Sequence, residues 1–242
     1  MNTVISAIAA AAVALGTVVA WSPWSSAAGS TKTGYEPALN PADFSTKITN
    51  PYFPLPVGRQ LIYKGTKDGK TQRDVVTVTD RTKLTAEGIR ARIVTDVAKH
   101  NGTLLEKTQD WYAQDKAGNV WYVGEKTADY TSGTLDTSGS WEAGVNDGEP
   151  GIVMKAHPHI PQAYRQEYLR GEAEDTAWVV RTHGSITVPF ATFKHVTLVT
   201  LEAARIEPGA YDKKIYAPGY GIVYENAITG EPEISKLVKV TG

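Results

Sequence analysis

From residue 59 to its end the chain repeats one pattern: a short run of β-branched and aromatic residues, then a turn signal, at intervals of roughly 8–12 residues. Runs at residues 59–64 and 74–79 flank Lys67-Asp68-Gly69-Lys70, and a run at 89–97 ends at His100-Asn101-Gly102, where Asn-Gly favours a type I′ turn. Runs at 104–114 and 120–125 flank Asp115-Lys116-Ala117-Gly118-Asn119, and further runs fall at 163–169, 177–181, 185–188, 196–202, 211–217, 222–225 and 236–240. No window carries a sustained helical period with caps; residues 41–46 and 171–176, the best helical candidates, are one turn or two. The longest irregular stretch is 133–151. The spacing predicts an all-β fold, an antiparallel barrel or a strongly curved, clamshell-like sheet, in a single domain over residues 44–242.

Before that domain, residues 4–21 are nearly continuous apolar sequence, and Ser26-Ala27-Ala28 places small residues at positions −3 and −1 of a cleavage site. Residues 1–28 read as a secretory signal peptide, although Met1-Asn2-Thr3 lacks the usual Lys or Arg. The rival reading is an uncleaved anchor, since such a stretch can just span a bilayer. After cleavage no stable membrane insertion is expected, and the expected location is secreted or cell-envelope. Residues 29–43, small, polar and Pro-containing, read as a flexible N-terminal segment. The chain has no cysteine, which removes disulfides, thiol catalysis, thiolate-bound metals and a lipid-acceptor site together. A formal net charge of −1 predicts no broad electrostatic pull toward nucleic acid or anionic lipid. With no phosphate-cradling glycine loop and no Gly-x-Ser-x-Gly elbow, no cofactor is expected and a serine hydrolase is disfavoured.

Asn50-Pro51-Tyr52-Phe53-Pro54-Leu55-Pro56-Val57-Gly58 excludes helix, because each proline removes a donor and restricts the residue before it. It reads as an extended strap, a hydrophobic plug over one end of the barrel or sheet with Tyr52, Phe53 and Leu55 as anchors.

Candidate site residues come from strand faces that are polar and aromatic at once. Period two puts Asp110, Tyr112 and Gln114 on one face, and Val120, Tyr122 and Gly124 on the face opposite that of Asn119, Trp121, Val123 and Glu125. Tyr164, Gln166 and Tyr168 alternate with Arg165 and Glu167. A concave wall that binds a sugar or small molecule has this composition, because aromatic faces stack while carboxylates and amides orient. Asp110, Glu142 and Glu167 are the candidate catalytic acids, Glu142 because Trp141 beside it can raise its pKa by desolvation. Tyr112, Gln114, Tyr122, Glu125, Tyr164 and Arg165 are the candidate ligand contacts. His157-Pro158-His159 would need a third metal ligand, from Glu167, His183 or His195; the plainer reading is a solvent-exposed Pro-rich turn, and no metal is expected.

Several strings in order, Asn50-Pro51-Tyr52-Phe53-Pro54-Leu55, Asp110-Trp111-Tyr112-Ala113-Gln114-Asp115, Gly118-Asn119-Val120-Trp121-Tyr122, Ser140-Trp141-Glu142-Ala143-Gly144, Tyr164-Arg165-Gln166-Glu167-Tyr168, Gly171-Glu172-Ala173-Glu174-Asp175 and Tyr216-Ala217-Pro218-Gly219, resemble a family of exported bacterial proteins, often lipoproteins, of uncharacterised function. The resemblance implies export and β-architecture, and no activity. The chain departs from that family in lacking a lipid-acceptor cysteine and in carrying His157 and His159. The ending Tyr216-Ala217-Pro218-Gly219-Tyr220-Gly221-Ile222-Val223 is also similar to the closing strands of periplasmic clamshell-like β-proteins that hold apolar ligands. Together these readings predict a monomeric exported protein that binds a small-molecule, apolar or carbohydrate ligand in a polar, aromatic cleft. The alternative is an extracellular hydrolase or lyase using the carboxylates and tyrosines of the same cleft.

Overall fold

The computed structural model describes residues 34–242; the apolar leader and its cleavage site lie outside the described residues. Among the described residues, fifteen strands make one antiparallel sheet. They are β1 (Phe44–Ser45), β2 (Gln60–Lys67), β3 (Lys70–Leu84), β4 (Arg90–His100), β5 (Thr103–Asp115), β6 (Val120–Asp129), β7 (Trp141–Glu142), β8 (Glu149–Met154), β9 (Gln162–Arg165), β10 (Glu167–Tyr168), β11 (Asp175–Thr187), β12 (Thr192–Ala204), β13 (Tyr211–Ala217), β14 (Gly221–Thr229) and β15 (Glu233–Thr241). Strands β2 to β6 form one meander and β11 to β15 another, and β15 pairs with β2 to join them. Residues 41–43 make a single 3₁₀ turn, and no helix among the described residues is long and apolar enough to cross a membrane.

The hairpins follow from their turn residues. Asp68 and Gly69 have φ of 49° and 73°, and Asn101 and Gly102 have 48° and 87°, so both central positions of each turn are left-handed. That is the type I′ geometry whose twist matches the strands it connects.

The two free edges of the sheet meet in one short segment. β9 pairs with β11, β10 pairs with β8, and the Gln166 N–H between them donates to the Asp175 carbonyl at 2.8 Å. Residues 162–168 thus leave one edge and arrive on the other, and the sheet becomes a nearly closed antiparallel barrel. The run expected at 163–169 is therefore two strands with different neighbours. Part of the expected irregular stretch 133–151 is strand as well, in β7 and the start of β8. The runs at 177–181 and 185–188 belong to one strand, β11, with register shifts at Arg181 and Gly184. The N-terminal segment is tied to the seam, because the Tyr35 hydroxyl donates to the Pro150 carbonyl at 2.9 Å and its ring lies 6.0 Å from that of Tyr168.

Inside, the barrel has two poles. Toward the strap the wall is apolar, with Leu61, Tyr63, Val76, Val78, Val94, Tyr112, Leu198, Tyr216, Ile222 and Leu237 buried. Toward the opposite hairpins the same strands turn inward with Lys67 and Gln72, then Asp74, Asp96, Glu106, Glu125, Asp175, Glu202, Lys214 and Glu225, all buried. Two lysines thus face a much larger set of carboxyls.

Candidate functional site

The strap enters the apolar pole and is fixed there by named hydrogen bonds. Gln114 Oε1 accepts from the Thr49 and Asn50 N–H groups at 2.7 and 2.9 Å. The Asn50 amide donates to the Gly118 and Lys155 carbonyls, and the Gly219 N–H donates to the Pro51 carbonyl at 2.8 Å. Its prolines hold the chain extended, so Phe53 and Leu55 reach inward and are buried, and Phe53 packs edge-on against Tyr112 at 5.2 Å. The expectation of a plug with Phe53 and Leu55 as anchors matches this geometry. Tyr52 instead lies at the rim, its hydroxyl donating to the Val196 carbonyl at 3.1 Å.

Beneath the strap lies a pocket of about 370 Å³, counted out to the solvent and lined by Phe53, Pro54, Leu55, Leu61, Tyr63, Val76, Val94, Asp110, Tyr112, Tyr220, Gly221 and Ile222. As closed here, its centre has room for about one water. Asp110 is the one ionisable carboxyl in that lining. The Tyr122 hydroxyl donates to its Oδ1 at 3.1 Å and the Thr108 hydroxyl to its Oδ2 at 3.2 Å. Burial and then the neighbouring Asp96 raise its pKa to about 7, with the two hydroxyl donors working against them. Near neutrality this carboxyl can therefore stand as acid or as carboxylate, and it can donate to or accept from a ligand.

The structure brings some of the nine candidates together and separates others. Asp110, Tyr112, Tyr122, Glu125, Tyr164 and Glu167 all face the interior and are buried. Tyr112 and Tyr122 are cross-strand partners with stacked rings 5.1 Å apart. Strict alternation puts Glu125 on the wall opposite Tyr122, but in the structure both are buried on the inner wall. A bulge between the pairs Tyr112–Tyr122 and Asp110–Glu125 inserts one extra residue into β6 and turns both side chains inward. The signal for it is Gly124, whose φ of 138° suits glycine and whose added Cβ would meet the Trp141 carbonyl and the Trp111 ring. A kink at Gln166 likewise brings Tyr164 and Glu167 to one side.

Three candidates are not in the concavity. Gln114 sits at the end of the inner face but is consumed by the strap. Glu142 is on the outer face, its Oε1 accepting from the Ala86 N–H at 2.9 Å and its Oε2 2.9 Å from Lys83 Nζ. Arg165 points outward, its guanidinium 4.7 Å from the Tyr168 ring and 5.5 Å from that of Tyr35. Glu142 and Glu167 therefore lie on opposite faces of the wall and cannot flank one bond. Phe53, Tyr63 and Tyr220 line the pocket although the alternation of polar and aromatic residues did not select them. Replacing Gln114 by Ala leaves two strap amides without their acceptor. A loss of ~1–2 kcal/mol and a drop of roughly 2–6 °C in melting temperature is expected, measurable by differential scanning fluorimetry.

The acidic pole has its own electrostatics. Glu202 is well satisfied, 2.7 Å from Lys214 Nζ and accepting from the Thr200 and Tyr216 hydroxyls at 2.8 and 3.2 Å. Burial alone would lower Lys214, but Glu202 and Glu225 outweigh it and hold the ammonium well above its ordinary range. Glu167 is different. It is fully buried, neither oxygen has a well-formed hydrogen bond, and burial followed by Asp175 and Glu125 raises it well above the usual carboxylate range. The Trp141 indole draws it down a little without completing a bond. Burial also leads in raising Asp74 and Asp175, each to about 8, and in raising Glu106 and Glu125. His157 and His159 are exposed, and among the described residues no three His, Asp or Glu side chains are grouped to hold a metal.

No protein-family profile matches the chain, and no curated protein matches it by sequence. Among solved structures it is similar to a protein of Bacteroides fragilis described as exported with a YmcC-like fold, at 16% identity and a TM-score of 0.47 over 79% of this chain and 99% of that one. It is also similar to a protein of Parabacteroides distasonis described as a lipoprotein, at 14% identity and a TM-score of 0.45 over 78% and 98% of the two chains.

Proposed function

We propose that this chain works, after export directed by its apolar leader, as a binding module for a small and largely apolar molecule held at the strap end of the barrel. The observation that supports this reading is the pocket itself, an apolar end of a barrel under an inserted strap with one buried carboxyl in its lining. Ligand sites are typically apolar with a few convergent polar groups. Here Asp110 is the orienting group, and an occupant with an amine or hydroxyl beside an apolar body suits it. Because the closed pocket holds about one water, such an occupant displaces Phe53 and Leu55 as it enters. The hydrolase or lyase alternative loses Glu142, which is turned to Ala86 and Lys83 on the outer face and cannot share a bond with Asp110 or Glu167.

Fluorescence titration with N-phenylnaphthylamine, an apolar aromatic amine, tests the reading. Saturable binding is expected, weakened about tenfold by Asp110→Asn, a change of ~1.4 kcal/mol, and abolished by Val76→Phe, which fills the pocket. Binding that is absent, or that both variants leave unchanged, would refute it.

A further inference from the structure

The outer face of β15, β2, β3 and β4 carries an arrangement the pocket does not explain. Lys236 is directly opposite Lys64, Lys64 is opposite Arg73, and Arg73 is opposite Lys99. Four cations thus stand in one row across four neighbouring strands, spanning ~14 Å at the usual strand spacing. Lys64, Arg73 and Lys99 are exposed and Lys236 is half-buried, and among the described residues none of the four makes an ion pair. The acids of the same strands are turned away from it: Asp74 and Asp96 are buried inside, and Glu233 pairs with the buried Lys67 at 3.3 Å. Only Asp80, far along β3, is an exposed exception. The adjoining row is Lys239, Ile62, Val75, Val97 and Lys107, apolar in the middle and basic at both ends.

Like charges directly opposite one another destabilise a sheet, so the row costs the free barrel stability, and an anion laid along it removes that cost. We propose that this face is a docking surface for a linear, carboxylate-bearing polysaccharide. The charges are single cations repeated at the strand spacing, which suits a chain whose sugar rings each present one carboxylate at a comparable advance. Single-stranded nucleic acid sites combine cations with aromatic platforms, and neither row contains an aromatic residue; Tyr224, opposite Lys236, already has Lys213 5.5 Å over its ring. A bilayer surface would call for Trp or Phe to insert beside the cations, and the face has none. The formal charge of −1 conceals this surface because it sums inward and outward side chains alike.

Affinity electrophoresis of the purified protein through gels containing polygalacturonate, with neutral dextran as reference, tests the proposal. Retardation by polygalacturonate that weakens with added salt is expected, with at least a tenfold loss of affinity in the double variant Lys64→Gln, Arg73→Gln. That variant should melt no lower than the parent, since all three repulsive contacts of the row are relieved; Lys99→Gln with Lys236→Gln provides a second pair should the first not fold. Lys116→Gln, which removes an equal type of charge beside Asp43 outside the row, should bind as the parent does. Absent retardation would overturn the proposal, as would equal loss in Lys116→Gln. So would binding of single-stranded DNA or phosphatidylglycerol vesicles as tight as that of polygalacturonate and lost in the same double variant.

Discussion

Thermal unfolding at pH 5 is expected to give a melting temperature ~10 °C above that at pH 8, the reverse of the usual acid lability of paired carboxylates. Asp110 is raised to about 7, Asp74 and Asp175 to about 8, and Glu106, Glu125 and Glu167 well above their ordinary value, burial being the leading cause in each. A carboxyl raised on folding binds its proton more tightly in the native state. Its stabilising contribution is complete below the unfolded value near 4 and is lost as pH rises through the folded value. For this set the window runs from about pH 4 to 8. Neighbouring carboxyls share protons, so their contributions do not add. Even ~4 kcal/mol for the whole set corresponds to ~10 °C in a domain of this size. Glu174 works oppositely, since its hydrogen bonds from Arg205 hold it low, and its contribution disappears only in stronger acid. A melting temperature that is flat or rising from pH 5 to pH 8 would mean that the interior carboxyls are ionised and compensated.

The second large effect is expected at the seam. Gly151 on β8 is opposite Tyr122, and a Cβ there would lie 2.2 Å from the Gln166 carbonyl carbon and 2.5 Å from the Glu167 nitrogen. Both are backbone atoms of the segment that closes the barrel, so no side chain can swing aside to make room. Gly151→Ala should cost ~3–5 kcal/mol, or ~10 °C in melting temperature, and should make the half-buried Arg165 accessible to trypsin by parting residues 162–168 from β8. Gly139→Ala is the matched control, because its Cβ would meet only the Thr127 side chain, at 3.5 Å, an ordinary contact. An unchanged melting curve and unchanged proteolysis in Gly151→Ala would mean that this seam does not hold the barrel closed.

What the sequence makes legible follows from how local its cause is. Type I′ turns need two left-handed residues, so Asp68-Gly69 and Asn101-Gly102 announce their hairpins. The alternation of Asp110, Tyr112 and Gln114 likewise survives in the structure as one inner face. Alternation fails wherever the count of residues changes. The bulge at Val123-Gly124 moves Glu125 to the inner wall, and the kink at Gln166 sends Arg165 out while Glu167 goes in. β8 is hidden because Pro150 and Gly151 read as strand breakers, yet Pro150 lies at the end of its strand opposite Glu167, where a seam tolerates it. Glu142 beside Trp141 suggested a desolvated acid; the two residues instead take opposite faces of β7, and the carboxylate goes outward to Lys83. The basic row depends on register between strands far apart in the chain, which spacing along the sequence does not encode. Burial holds Asp74, Glu106, Glu125, Glu167 and Asp175 above the ordinary carboxylate range, so the formal −1 counted from composition overstates the negative charge that the native interior carries.

The measurement that bears most directly on the proposed role is amide hydrogen exchange of the strap, with and without saturating N-phenylnaphthylamine. The Phe53 amide donates to the Asn50 carbonyl at 3.1 Å and the Leu55 amide to the Ile48 carbonyl at 3.1 Å, so both are protected while the strap is seated. An occupant larger than a water must lift those residues from the pocket. Phe53 and Leu55 are expected to lose protection on binding, while amides of β3, β4 and β5 keep theirs. Binding with strap protection unchanged, or with protection lost across the whole barrel, would contradict the proposed role.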